Sequence, residues 1–437
     1  MPKALLPIII LFAIAARIVV GLSLDAKLRF PDSRDYVKIA QNILAGNGPR
    51  LNERTVANRG PGYSYFVAGI MALAGGHSVK EGPVGTDSST STSTRTGTST
   101  TDDAAGATGT TAASEDARLI MAVRIVQAVL GGVLCWVVYM IGRKLFSPGA
   151  GLAAAAVVAV DPILAYFSVL VLSETLFAVL LAGAFACLLY STDRRTWWAA
   201  AAGVLLGLAA LVRPPVLLMV PLVAAAWLAL EWRKAGSLRA AAVVLVAALV
   251  VISPWPIRNY QLTGRAVFTT LSSGASLYEG VCPEADGGPA MDKIGWPTEI
   301  AGMNEARKND FLRARAIECM KAEPARMAKL AVSKFARFWN VFPNFGEYRR
   351  PAYMVASGLY GIPVMICIVA GVVLAAGRNR AAWLLLVPAG YFSLLHMVFV
   401  GSIRYRAPVM PLLAVFAGVA VATVIERMKA RSASAHV

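Results

Sequence analysis

Long apolar runs separated by short basic loops set the pattern of this chain. A helix needs roughly 20 mostly apolar residues to cross a bilayer. Ten stretches come close: 4–22, 119–141, 149–170, 172–191, 196–212, 214–231, 238–255, 352–376, 381–400 and 406–425. The run 61–76 is apolar too, but it is short and carries a proline, two tyrosines and several glycines. That suits an interfacial or re-entrant helix better than a span. Charge separates the two readings. With 61–76 not spanning and the N-terminus inside, the inner loops and tails carry 13 basic residues against three acidic ones, a net of +10. The first outer loop, 23–117, holds nine basic and ten acidic residues. Letting 61–76 span would move most of the basic loops outside, against the positive-inside rule. The pattern therefore predicts an all-α polytopic membrane protein of about ten spans with both termini cytoplasmic.

Composition agrees. Of 437 residues, 57% are hydrophobic and only 15% charged, with a mean hydropathy of +0.60. An ordinary soluble enzyme, a disordered chain and a disulfide-rich secreted module are all excluded. The net charge of +17 would suggest nucleic acid in a soluble protein. Here most of it is an orientation signal, and no nucleic-acid partner is expected. The first span lacks a small-residue cleavage site and reads as a retained helix.

The chain divides into a transmembrane module at 1–258, an outer-face segment at 259–350 and C-terminal helices with a cytoplasmic tail at 351–437. Within the loop 23–117, helices are expected at 35–46 and 61–76, and a disordered Ser/Thr-rich insertion at 84–115. Of the 28 residues 87–114, sixteen are Ser or Thr and none is a large apolar residue. The stretch 303–340 reads as two helices broken near Glu323-Pro324, the second interfacial, with Met327, Leu330, Phe335, Phe338 and Trp339 among lysines and arginines. Cys282 and Cys319 fall in the same outer segment, where a disulfide is feasible. Only three histidines and no CxxC are present, which argues against a histidine-built zinc site. Neither a Walker A sequence nor a strand-linked GxGxxG occurs.

Ionisable groups at span ends are costly and mark function or pairing. Six clusters share the outer side: Asp32 to Tyr36 with Asp35 between, Arg59-Gly60-Pro61-Gly62-Tyr63, Ser173-Glu174, Arg213-Pro214-Pro215, Pro254 to Asn259 with Arg258, and Arg404-Tyr405-Arg406. One or two acids facing many arginines suit a phosphate-bearing ligand. Each residue also has a plainer reading. Asp32 is well placed to cap the following helix; Arg213, Arg404 and Arg406 can snorkel to the interface; Arg258 after Pro-Trp-Pro suits an interfacial anchor; Arg59 suits a lipid headgroup contact; and Glu174 can simply pair with one of these arginines. Convergence on one side is what six separate anchors would not require. Arg17 and Arg124, deeper in spans, are expected to pair with acids.

In order, these motifs resemble the GT-C membrane glycosyltransferases, in particular bacterial relatives of protein O-mannosyltransferases and of the lipid A aminoarabinose transferase (glycosyltransferase family 39). The resemblance rests on Asp32-x-x-x-Tyr36 with Ile39-Ala40 and Leu44-x-Gly46, Arg59-x-Pro61-Gly62-Tyr63 and Ser173-Glu174-Thr175-Leu176-Phe177. It continues through Leu211-Val212-Arg213-Pro214, Pro254-Trp255-x-x-Arg258-Asn259 and Arg404-Tyr405-Arg406-x-Pro408-x-x-Pro411-Leu412. It implies a GT-C-like fold and a polyprenyl-phosphate sugar donor. The acceptor would be a glycolipid, polysaccharide or protein at the outer face of a prokaryotic plasma membrane, and the anomeric carbon would be inverted. Asp32 matches the family's general base, with Asp35 the alternative. Arg59 matches a residue holding the lipid phosphate, and Arg258, Arg404 and Arg406 are further phosphate candidates. Tyr36, Tyr63, Glu174, Arg213 and Asn259 are supporting residues. No cofactor or obligatory metal is expected. The main rival is a transporter or flippase for an anionic or sugar-linked lipid, which would place its charges nearer the bilayer midplane.

Overall fold

A computed structural model describes residues 2–28, 30–75, 103–191, 195–289, 293–344 and 351–434, and no strand occurs among them. In chain order the helices are α1 (Pro2–Ser23), α2 (Pro31–Leu44), α3 (Pro61–Leu73), α4 (Asp103–Leu145), α5 (Pro148–Ala159), α6 (Pro162–Ser168), α7 (Glu174–Tyr190), α8 (Trp197–Val212) and α9 (Val216–Glu231). They continue as α10 (Ser237–Ile252), α11 (Pro254–Thr263), α12 (Ser273–Val281), α13 (Glu305–Ala322), α14 (Pro324–Trp339), α15 (Pro351–Ala375), α16 (Val387–Val398), α17 (Ile403–Arg406) and α18 (Met410–Ser434). Each of the ten apolar stretches is helical. Among the described residues, six helices are long and apolar enough to cross a bilayer alone, the bent pair α5–α6 would make a seventh if it is one span, and α7, α8 and α9 are shorter apolar helices. The chain is a multi-pass membrane protein.

Lipid is as apolar as leucine, so close backbone approach rather than hydrophobic burial must hold such helices together. Gly203 and Gly207 of α8 let α10 in: a methyl added at Gly203 would stand 2.5 Å from the Val244 carbonyl oxygen. α18 is buried from Met410 to Ala420 against α5 and α15, whereas α1 and α15 turn an apolar face outward through Leu5, Leu11, Leu359 and Ile366.

The span 149–170 is broken. α5 and α6 meet at 59° around Val160 and Asp161. Asp161 accepts from the amides of Ile163 and Leu164 at the start of α6. Arg17 donates to the Val158 and Ala159 carbonyls at the end of α5, and to Ala13. A carboxylate at the new N-terminus and a guanidinium at the new C-terminus satisfy both orphan ends and both dipoles. Arg17 therefore spends its donors on backbone carbonyls instead of pairing directly with an acid. Arg124 likewise holds the carbonyls of Gly21, Leu24, Asp25 and Val169.

Outside the spans, α2 and α3 lie close to the expected 35–46 and 61–76. α3 has 13 residues, about 20 Å, too short to cross. It is packed instead, with Tyr63 and Val67 fully buried. The outer-face helices break at Glu323-Pro324 as expected. One expectation is corrected. α4 runs back to Asp103, because an established helix propagates cheaply through the Ala-containing stretch before it. The 84–115 insertion is therefore helical from 103, and 84–102 lies outside the described residues. Cys282 and Cys319 are free thiols packed in one small core.

Candidate functional site

The start of α2, the approach to α3, the start of α7, the end of α8 and α17 meet at one end of the bundle. Two glycines make part of this possible. Gly60 has a Leu211 carbonyl oxygen 2.4 Å from where a Cβ would be, and Gly62 has the Val212 amide nitrogen at 2.9 Å. Any side chain at either position would push the Arg59 turn off the end of α8, where Arg213 follows.

The charged side chains then form an alternating chain. Arg59 donates through Nε and Nη2 to Asp35, at 3.0 and 2.9 Å, and its Nη2 lies 2.6 Å from Asp32. The other Asp32 oxygen is 2.7 Å from Arg404 Nη2. Arg404 Nε donates to Glu174 Oε1, and Arg213 Nη2 donates to the same oxygen at 2.8 Å. Arg213 Nε reaches Ser173 Oγ at 3.3 Å. Reading along it, the order is Asp35, Arg59, Asp32, Arg404, Glu174, Arg213: three carboxylates and three guanidinium groups, with no net charge. In each arginine the Nη1 nitrogen has no partner among the described residues. The chain can therefore accept an anion without first being taken apart.

Aromatic side chains wall this cluster. Tyr36 meets Tyr63 edge to face at 4.7 Å, and Tyr63 donates to Gln127 Oε1 at 3.0 Å. The Arg213 guanidinium lies over both Phe177 and Tyr405 at 5.6 Å, and Arg404 over Phe30 at 5.6 Å. His396 stacks flat on Tyr405 at 4.4 Å. Burial alone would raise the Asp32 carboxyl, but Arg404 and Arg59 outweigh it and hold it below the usual carboxylate value. Burial and the Asp32 charge keep the Tyr36 phenol protonated.

Asp32 does not cap α2. The helix begins at Pro31 after Phe30, no side chain makes a cap bond, and the Asp32 carboxylate belongs to the arginines. Asp32, Asp35, Arg59, Glu174, Arg213 and Arg404 come together, with Tyr36 and Tyr63 beside them. Arg258, Asn259 and Arg406 do not join them. Arg258 stacks on Trp255 at 4.9 Å and donates to the carbonyls of Val56 and Pro49 at 2.7 and 3.1 Å. Asn259 accepts from Arg258 and donates to the Val267 carbonyl. Arg406 stacks over Trp339 at 5.8 Å. Two residues apart on a helical turn place Arg404 and Arg406 about 200° apart, on opposing faces.

Sequence reading missed Glu305. Its Oε2 accepts from the amides of Val56 and Ala57 at 2.9 and 3.1 Å. Glu305 and Arg258 thus grip the same loop from its donor and acceptor sides, three residues before Arg59. Some 250 residues separate the partners, and no local signal announces such a contact. His396 and Ser173 were also unassigned. Among the described residues, no group of three or more His, Cys, Asp or Glu side chains is placed to hold a metal ion.

Residues 117–257 match the family model described as dolichyl-phosphate-mannose-protein mannosyltransferase. No curated protein sequence matches. Among solved structures, the chain is similar to the archaeal oligosaccharyltransferase AglB from Archaeoglobus fulgidus, in complex with an inhibitory peptide and a dolichol-phosphate. That match has a TM-score of 0.58 at 14% identity and covers 100% of this chain and 52% of that one. The apo form of the Archaeoglobus fulgidus oligosaccharyltransferase gives 0.58 at 15% identity, covering 99% and 51%. ArnT from Cupriavidus metallidurans in the apo state is more distant, with a TM-score of 0.41 at 16% identity over 94% and 76% of the two chains. This chain spans about half the length of the oligosaccharyltransferase it matches. The resemblance read from the motifs is borne out: the chain has the GT-C fold, and its residues 117–257 match the protein mannosyltransferase family of glycosyltransferases.

Proposed function

We propose that the protein is an inverting glycosyltransferase that moves a sugar from a polyprenyl-phosphate donor to an acceptor hydroxyl, with Asp32 as the base. The acceptor would be a glycolipid, polysaccharide or protein. The convergence of Asp32 with Arg59 and Arg404 at a bundle end carries this reading. The departing lipid phosphate gains negative charge in a site of low dielectric, where fixed guanidinium groups stabilise it strongly. Arg59 and Arg404 supply that contact through their open Nη1 groups, and Arg213 extends the array. The acceptor hydroxyl is a poor nucleophile until a carboxylate takes its proton. Asp32 is ionised but quenched by two arginines in the resting site. A phosphate that engages those arginines weakens their hold on Asp32 and raises its basicity as the donor arrives. The neighbouring fold supports a lipid donor, since the similar archaeal oligosaccharyltransferase holds a dolichol-phosphate.

Contacts define two ends of the bundle. Opposite the site, Lys144 lies over Tyr190 at 5.0 Å and Asn379 donates to the Leu145 carbonyl. These loops carry the basic residues of the positive-inside pattern. We therefore assign that end to the cytoplasm of a prokaryote, with both termini, and the charged site to the outer face of its plasma membrane. A lipid carrier has the broken span at Asp161 in its favour, but that break is capped on both sides by Arg17 and Asp161.

The test is polyprenyl phosphate release from short-chain polyprenyl-phosphate sugars by purified protein. Asp32→Asn should abolish release while leaving donor binding intact. Unchanged turnover would remove Asp32 as base and transfer the role to Asp35. Lipid flux across proteoliposomes with no sugar transfer would favour the carrier.

A further inference from the structure

Arg406 is a buried cation in the outer part of the bundle that the arrangement so far leaves unexplained. It is 3% exposed, and its Nε and Nη1 have no hydrogen-bond partner among the described residues. Its surroundings are the Trp339 ring and, within electrostatic reach, Asp161 and Tyr360. Neither of these neutralises it. Asp161 has its oxygen on the amides that start α6, and its charge already faces Arg17. Tyr360 donates to the Val157 carbonyl at 3.0 Å. Arg17, Asp161 and Arg406 together leave one positive charge at the break between α5 and α6.

An unpaired guanidinium in an apolar layer is expensive and marks a ligand or a partner. The location selects the ligand. Arg406 sits where α17 runs into α18, next to the tryptophan that closes the amphipathic helix α14. The nearby α15 carries Tyr360 and turns Val355, Leu359, Ile362 and Ile366 outward. A small soluble anion would have to enter through that apolar surround. The anions already in such a layer are lipid phosphates.

We propose that Arg406 is the anion contact of a second site, separate from the Arg59–Arg404–Arg213 array, that takes the phosphate of a membrane lipid. Two sources share that chemistry, a polyprenyl phosphate and an anionic glycerophospholipid. The site does not depend on the transfer reaction, so it is tested by binding, with no sugar present.

The full chain is purified in neutral detergent, stripped of lipid and titrated with polyprenyl phosphate, phosphatidylglycerol or uncharged polyprenol while bound lipids are counted by native mass spectrometry. The wild type should hold one phosphate lipid more than Arg406→Leu, and uncharged polyprenol should not occupy that position. Arg406→Lys should keep it with affinity at least tenfold weaker, because an ammonium lacks the planar fork. Whichever phosphate lipid fills it at lower concentration is the source. Without lipid, Arg406→Leu should unfold at a higher temperature than wild type, since it removes an uncompensated buried charge. Adding the phosphate lipid should raise only the wild-type midpoint. Equal lipid counts and equal midpoint shifts in wild type and Arg406→Leu would overturn the proposal, and would leave the role of Asp32 unaffected.

Discussion

Replacing Glu174 by glutamine is expected to weaken the fold more than replacing Asp32 or Asp35 by asparagine. The reason is position along the alternating chain. Asp35 is an end member, and without it Arg59 still has Asp32 at 2.6 Å. Without Asp32 the chain splits, yet Arg59 keeps Asp35 and Arg404 keeps Glu174. Without Glu174, Arg213 loses the carboxylate it pairs with, at a site where its side chain is 13% exposed. At an effective dielectric near 20, one pair of charges about 4 Å apart is worth about 4 kcal/mol. Breaking a buried pair and stranding one member costs about 3–5 kcal/mol, whereas losing one of several charged hydrogen bonds costs about 1–2 kcal/mol. Thermal unfolding in detergent should therefore show Glu174→Gln lowered by roughly 5–10 °C and Asp35→Asn by roughly 2 °C, with Asp32→Asn between them. Adding Arg213→Gln to Glu174→Gln removes the stranded charge and should recover about half of the loss, a non-additivity expected of direct partners. A Glu174→Gln midpoint no lower than that of Asp35→Asn, or purely additive losses in the double variant, would refute the alternating-chain account.

Three further outcomes follow from the same geometry. Glu305→Ala frees the Val56 and Ala57 amides and loosens the loop before Arg59. The KM for the lipid donor should rise about tenfold with a smaller change in kcat, roughly the 1.4 kcal/mol of a displaced contact, and Glu305→Gln, which still accepts both amides, should stay near wild type. Gly60→Ala drives a methyl into the Leu211 carbonyl; steady-state kinetics should show donor use falling at least tenfold with helix content by circular dichroism unchanged. Lys334 is buried with its Nζ on the Val398 carbonyl at 2.7 Å, and burial, with Arg326 nearby, pushes its ammonium down to about 8. The unfolded lysine keeps its proton to about pH 10.4. Between those values the unfolded chain binds more protons, so stability should rise with pH above 8 by on the order of 3 kcal/mol and stay flat below it. Melting curves from pH 7 to 10 should show that rise in wild type and not in Lys334→Met.

The apolar runs alone determined the helices, because a segment that offers lipid no other way to satisfy its backbone must be helical. The same economy made the outer charges legible: ionisable side chains are rare in such a sequence, so Asp32, Arg59, Glu174, Arg213 and Arg404 stood out and did converge. Tertiary structure decided how they are used. Pattern could not show that the acids and arginines alternate to neutrality, because pairing depends on which span ends touch. It could not separate Arg404 from Arg406, two residues apart and turned to opposite faces. Nor could it find Glu305, whose hold on the Arg59 loop crosses some 250 residues of chain. The break at Asp161 was hidden for a related reason: its two orphaned helix ends are satisfied by Arg17 from another helix and by the Asp161 carboxylate at the start of α6. Hydropathy records the cost of leaving water, which each residue carries with it; the partner that offsets that cost is set by the fold.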